Sequence, residues 1–119
     1  MTNNNDSRGL GSFVAYQRAV TAVTRVATAS AGWRGWSDLA NQARRASVSV
    51  VLNLGEGSGH PRGSAERKRF WRIAFASALE VEAALDCAGA LGLGDAHEAA
   101  SARAAAGEIA RMLTTLCRW

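Results

Sequence analysis

Lysine is almost missing from this chain, Lys68 being the one lysine among fourteen basic residues. Proline occurs once, at Pro61, which leaves long stretches free of a helix breaker. The two cysteines, Cys87 and Cys117, are too few and too scattered for a disulfide framework or a zinc site. They read as reduced thiols packed as small hydrophobes. No stretch approaches the roughly 18 uninterrupted apolar residues of a membrane span. The opening run Met1-Thr2-Asn3-Asn4-Asn5-Asp6 is polar, without the apolar centre of a signal peptide. These absences predict a cytoplasmic chain with no membrane partner.

What is present favours helix. The 119 residues suffice for one core and not for two. Of these, 48% are apolar, alanine the commonest, and 20% are charged, which excludes wholesale disorder. Alanine loses no side-chain entropy in a helix. The net charge of +4 is carried almost wholly by arginine, and it permits nucleic-acid binding without demanding it.

Four periodic segments follow a polar tail at residues 1–11, which is expected to be disordered. Residues 12–119 are expected to form one bundle domain. From a Ser12 N-cap, Phe13, Tyr16, Val20, Val23 and Ala27 recur at helical spacing until Gly32. Trp33-Arg34-Gly35-Trp36 reads as a turn whose tryptophans fold over the bundle end, a binding surface being the alternative. Ser37 or Asp38 caps a second helix with Leu39, Ala43, Ala46, Val50 and Asn53 on one stripe, widened by Val48, Val51 and Leu52. The glycines of 55–59 and Pro61 end it, and residues 57–63 form a loop. Ser64 caps a third helix to about Leu91. One of its stripes holds Phe70, Ile73, Ser77, Val81, Ala84, Ala88 and Leu91, and a second holds Trp71, Phe75, Leu79 and Leu85. Two apolar faces want two neighbours, one inside the bundle and one on another subunit. Asp95 and Glu98 form a capping box for the last helix, striped with Ala102, Ala105, Ile109, Met112 and Leu116. The simplest packing is all-α: an antiparallel up-down-up-down four-helix bundle.

Two groups of residues do not read as core. Ser49, Asn53 and Glu56 follow at helical steps along a face of valine and alanine, and Ser77 and Glu80 do so on the third helix. The two runs are expected to meet in a buried polar network, with Arg45 or Arg72 as counter-charge, because a buried carboxylate must be paired or protonated. His60 and His97 complete no Glu-x-x-His motif of a dimetal bundle. Gly55-Glu56-Gly57-Ser58-Gly59 lacks the Walker lysine. No catalytic set, metal site or cofactor is therefore expected. The second group is basic: Arg62, Arg67, Lys68, Arg69 and Arg72, interleaved with Phe70 and Trp71. It is a candidate nucleic-acid surface; a solvated helix end with arginine stems on apolar surface is the other reading.

Tyr16-Gln17-Arg18-Ala19, Gln42-Ala43-Arg44-Arg45-Ala46-Ser47, Asn53-Leu54-Gly55-Glu56-Gly57 and Phe70-Trp71-Arg72-Ile73-Ala74-Phe75-Ala76-Ser77-Ala78-Leu79-Glu80 together resemble the bacterial 23S rRNA intervening-sequence protein family. The resemblance runs from about residue 13 to 118. It departs at the Trp33-Arg34-Gly35-Trp36 turn, at Leu54 and Ser58-Gly59-His60, and at Ala76, where the family tends to have glycine. That family includes the accessory variability protein of diversity-generating retroelements. The resemblance implies a four-helix bundle assembled as a homopentamer with a basic surface. For the retroelement branch it implies a reverse transcriptase and nucleic acid, RNA or DNA, as partners. Asn53, Glu56, Ser77 and Glu80 match its signature positions and are read as structural. The expected function is that of a non-enzymatic accessory nucleic-acid binder; the alternative is a protein-interaction module with no nucleic-acid role.

Overall fold

Two helix starts are closed by side chains at the expected places. Ser64 Oγ accepts from the Arg67 backbone N–H at 3.1 Å, and Asp95 Oδ1 accepts from that of Glu98 at 2.9 Å. In the computed structural model, which describes residues 13–118, these caps open the third and fourth of four helices. The helices are α1 (Val14–Ser30), α2 (Ser37–Ser58), α3 (Ala65–Ala90) and α4 (Ala96–Leu116). There is no strand among the described residues. The polar tail 1–11 and the expected cap Ser12 lie outside them.

Two expectations about helix ends are corrected. The residue before α2 is Trp36, which makes no side-chain cap, so neither Ser37 nor Asp38 serves as one. Gly55 and Gly57 do not end α2 either. The helix continues to Ser58 and stops at Gly59, because its last turn is held from outside by α3, as described below.

α1 packs against α2 and α4, and α3 packs against the same two, with α2 and α3 most intimately joined. Bonds link Arg18 with Glu108 and Arg25 with Ser101, and across α2 and α3 link Ser49 with Ser77 and Leu54 with Trp71. In both pairs residue numbers rise along one helix as they fall along the other. The result is a rod of 50 × 24 × 19 Å.

The core has two layers. Phe13, Ala15, Ala19, Val50, Leu54, Ala74, Ala78, Ile109 and Leu113 fill one half, and Val26, Trp33, Ala43, Ala46, Val81, Leu85, Ala102 and Ala106 the other. Most are alanine, so stabilisation is spread over many small burials, about 0.8 kcal/mol per buried methyl-sized group, and the helices lie close. Where the layers meet, between Ala19, Ala22, Ser47, Val50, Ala78, Val81, Ala106 and Ile109, the free space is about 10 Å³. That is the lower limit for one water molecule, so no ligand fits at this level.

This close packing displaces the predicted stripes. α1 buries Ala15, Ala19, Ala22, Val26 and Ala29, and leaves Val20 and Ala27 exposed. α4 turns Ala106, Ala110 and Leu113 inward and leaves Leu116 outside. On α2, Val48 and Leu52 point out rather than widening the core. A row of small residues permits the nearer helix approach, and it prevails over a row of larger ones beside it. Of the two turn tryptophans, Trp33 is buried and Trp36 is exposed. Gly94 adopts φ +69° beneath Trp33, where a Cβ would lie 3.1 Å from the indole, so this turn requires glycine on both counts. Cys117 is buried as expected, and Cys87 is exposed.

Candidate nucleic-acid interface

The seam between α2 and α3 contains the polar residues singled out in the sequence, but only some of them meet. The Ser49 and Ser77 hydroxyls share a hydrogen bond of 2.8 Å. The Asn53 amide donates to Ser49 Oγ at 3.1 Å and to the Ser49 carbonyl at 2.9 Å. Glu56 and Glu80 do not join them. Both are exposed, with no ion pair among the described residues, and Arg45 is exposed as well. The expected buried carboxylate network is thus a three-residue neutral cluster. The physical reason is angular: one helical step beyond Asn53, and one before Val81, carries the side chain past the helix contact into water.

The basic cluster divides three ways. Arg67 turns inward, with 8% of its surface exposed. Its Nε donates to the Gly57 and His60 carbonyls at 3.2 and 2.9 Å, and its Nη2 donates to that of Ser58 at 3.0 Å. The guanidinium thereby satisfies the open carbonyls at the end of α2 and lies 5.2 Å from the centre of the Trp71 ring. Arg67 is therefore a clamp on the α2–α3 turn and is withdrawn from the candidate surface. Trp71 in turn donates to the Leu54 carbonyl at 3.4 Å and packs on Phe13. The close seat of α2 explains Gly57: a Cβ there would stand 2.4 Å from Trp71 Cδ1 and 3.2 Å from the Arg67 carbonyl.

Arg69 points to the α2 side of α3, 3.6 Å from Glu66 and over the Phe70 ring, which itself stacks on His60. Lys68 and Arg72, one turn apart, take the opposite side, toward α4. Burial pushes the Cys117 thiol up from its ordinary pKa, and the nearby Arg72 charge partly opposes that rise. The end of α4 therefore lies beside Arg72. Arg62 is exposed in the turn before α3.

Two basic residues that the sequence reading passed over belong to this region. Arg111, on α4, and Arg118, just past its end, are exposed at the same end of the rod. They escaped notice because they are far from Lys68 in the chain and are separated from each other by six other residues.

The described residues hold no group of three His, Cys, Asp or Glu side chains placed to bind a metal. An open depression of about 560 Å³ between α1 and α4 gathers Thr21, Thr24, Arg25, Thr28, His97 and Glu98, with Arg25 already bonded to Ser101. No helix among the described residues is long and apolar enough to cross a membrane.

A family model described as 23S rRNA-intervening sequence protein matches residues 12–115. The chain belongs to this family. The match spans all four helices, with Gly57, Arg67 and Trp71 of the α2–α3 lock inside it. Comparison with curated proteins finds no match.

Proposed function

We propose that this member of the 23S rRNA-intervening sequence protein family is a non-enzymatic, homo-oligomeric nucleic-acid binder. In this reading it is an antiparallel up-down-up-down bundle acting in the cytoplasm, contacting RNA or DNA through the basic end of α3. The observation that carries the proposal is the pairing of an rRNA-linked family with a cluster of solvent-accessible basic side chains at one end of the rod. Arg62, Lys68 and Arg72 are its phosphate contacts, with Arg69 held partly by Glu66. Phosphate contacts of this kind position a protein without reading sequence.

Assembly is supported by apolar side chains exposed on α2 and α3. Leu52, Val48 and Ile73 are 64%, 42% and 39% exposed. Leu52 and Val48 flank a groove of about 420 Å³ with Arg44, Arg45, Ser49 and Asn53. Around them stand Arg45 of one sign and Glu56 and Glu80 of the other. A second copy of the chain fits such a face, which offers apolar side chains and charges of both signs; a head-to-tail contact with a different face of the next copy closes a ring. A homopentamer is the assembly we favour, and in a ring the charge of +4 per chain multiplies. A reverse transcriptase is the protein partner we favour for such an accessory factor. Glu56 then acts between copies, so Glu56→Ala should lower the mass seen by light scattering while the melting temperature of the isolated subunit barely moves.

The decisive test is fluorescence anisotropy with a structured RNA and a DNA duplex across a salt series. Binding whose log K falls linearly with log salt supports the proposal. No binding at low salt sinks it. The exposed Leu52, Val48 and Ile73 would then favour the second reading, a protein-interaction module without a nucleic-acid role.

A further inference from the structure

One stripe of α3 runs Lys68, Arg72, Phe75, Leu79, Glu82, Asp86 at alternating four- and three-residue steps. The facing stripe of α4 runs Arg103, Gly107, Arg111, Thr114, and Arg118 follows two residues past the helix end. At one end the charges cancel. Arg103 bonds Glu82 and, at 2.9 Å, Asp86, and the Asp86 hydrogen bond leads the causes that raise its pKa further. At the other end they add. Lys68, Arg111 and Arg118 form no ion pair among the described residues, and neither stripe supplies an acid there. Gly107 marks the border: a Cβ on it would sit 3.3 Å from Arg103 Nη1, 3.4 Å from Arg111 Nη1 and 3.6 Å from Glu82 Oε2.

We infer that Arg111 of α4 and Arg118, two residues past its end, join Lys68 and Arg72 of α3 in a single track along the α3–α4 seam that takes the phosphodiester backbone of a nucleic acid. This rests on the nucleic-acid reading above and assigns it residues from a second element. Arg111 lies five residues before the last residue of α4, Leu116, so the track runs along the last turns of the helix to just beyond its end. Two helices packed 8–10 Å apart set the cations in two rows, as roughly given by helix packing. We assign the contact to phosphate, which every sequence presents alike. An acidic protein partner fits less well, because a stable protein interface needs an apolar centre and Leu79 alone is exposed among the apolar residues of these stripes.

The test is anisotropy of the full chain with an RNA hairpin and with a DNA duplex of unrelated sequence, using Arg111→Gln/Arg118→Gln. Arg25→Gln, between α1 and α4, is the control, and circular dichroism verifies that each variant folds. The expected result is a salt slope shallower by about 1.4 to 1.8 and an affinity at low salt lower by roughly tenfold or more, on both probes alike. The control should match wild type. A wild type that binds, beside a double variant with unchanged slope and affinity, overturns the track and leaves the function standing. A wild type that binds neither probe overturns both. A loss confined to one probe refutes sequence-independent contact. Wild-type binding to polyglutamate as tight as to RNA at equal salt would reassign the track to an acidic protein.

Discussion

α3 forms two seams, and they are held together in different ways. Toward α2 the contacts are close and the polar groups enclosed: Gly57 of α2 against the Trp71 indole, Ser77 on Ser49, and the buried Arg67 guanidinium, whose bonds go to backbone carbonyls. Toward α4 it presents formal charges, acids paired by Arg103 at one end and the cations Lys68 and Arg72 at the other. The first seam removes polar groups from water and satisfies them inside, which makes it rigid and intolerant of substitution. The second keeps its charges wet, where ion pairs stabilise little. One helix thus carries an enclosed seam that holds the fold and a wet one that contributes little to it.

That contrast can be broken most directly at Gly57. Gly57→Val introduces a Cβ into the Trp71 indole and the Arg67 carbonyl, neither able to retreat. It should cost about 3 kcal/mol or more, seen as a lower urea midpoint. A loss below about 1 kcal/mol would mean that the α2–α3 seam yields and is not the rigid one.

Arg67→Met comes next. It leaves the Ser58 and His60 carbonyls without this donor, the Gly57 carbonyl keeping the His60 N–H, and should destabilise by about 2–3 kcal/mol. Arg67→Lys should restore little of this, since a point ammonium cannot reproduce the fork. Nucleic-acid affinity per folded molecule should be unchanged in both variants, as the residue faces inward.

The smallest effect belongs to the wet seam. Arg103→Gln should lower stability by at most about 1 kcal/mol, and the difference should shrink as salt is added. A salt-independent loss as large as that of Arg67→Met would erase the distinction between the seams.

Much of the fold was legible because it depends on near neighbours in the chain. The caps at Ser64 and Asp95 use a hydrogen bond across three residues, and the number of helices follows from glycine breaks in an alanine-rich text. Family membership was legible from ordered motifs along the same text. The cluster of Ser49, Asn53 and Ser77 was legible in part, since polar residues on an apolar stripe seek one another. Which side of that stripe reaches water was not, and the carboxylates of Glu56 and Glu80 accordingly fell on the wrong side of the boundary. Arg67 was misassigned for a related reason. In the sequence it is one of five cations in eleven residues, and nothing local distinguishes the one that turns inward.

The amino-acid order by itself determined four helices, most of their limits and the small-residue surfaces that let them pack closely. These come from propensity, period and capping, which act over a few residues. Tertiary structure alone decided the phase of each buried stripe, because that depends on which neighbouring surface permits the nearest approach. It also decided the fate of each charge. Arg67 is enclosed because the end of α2 arrives beside it with open carbonyls, and Arg103 is neutralised because α3 places Glu82 and Asp86 opposite. Arg111 and Arg118 stay exposed because the stripe facing them has no acid left to offer.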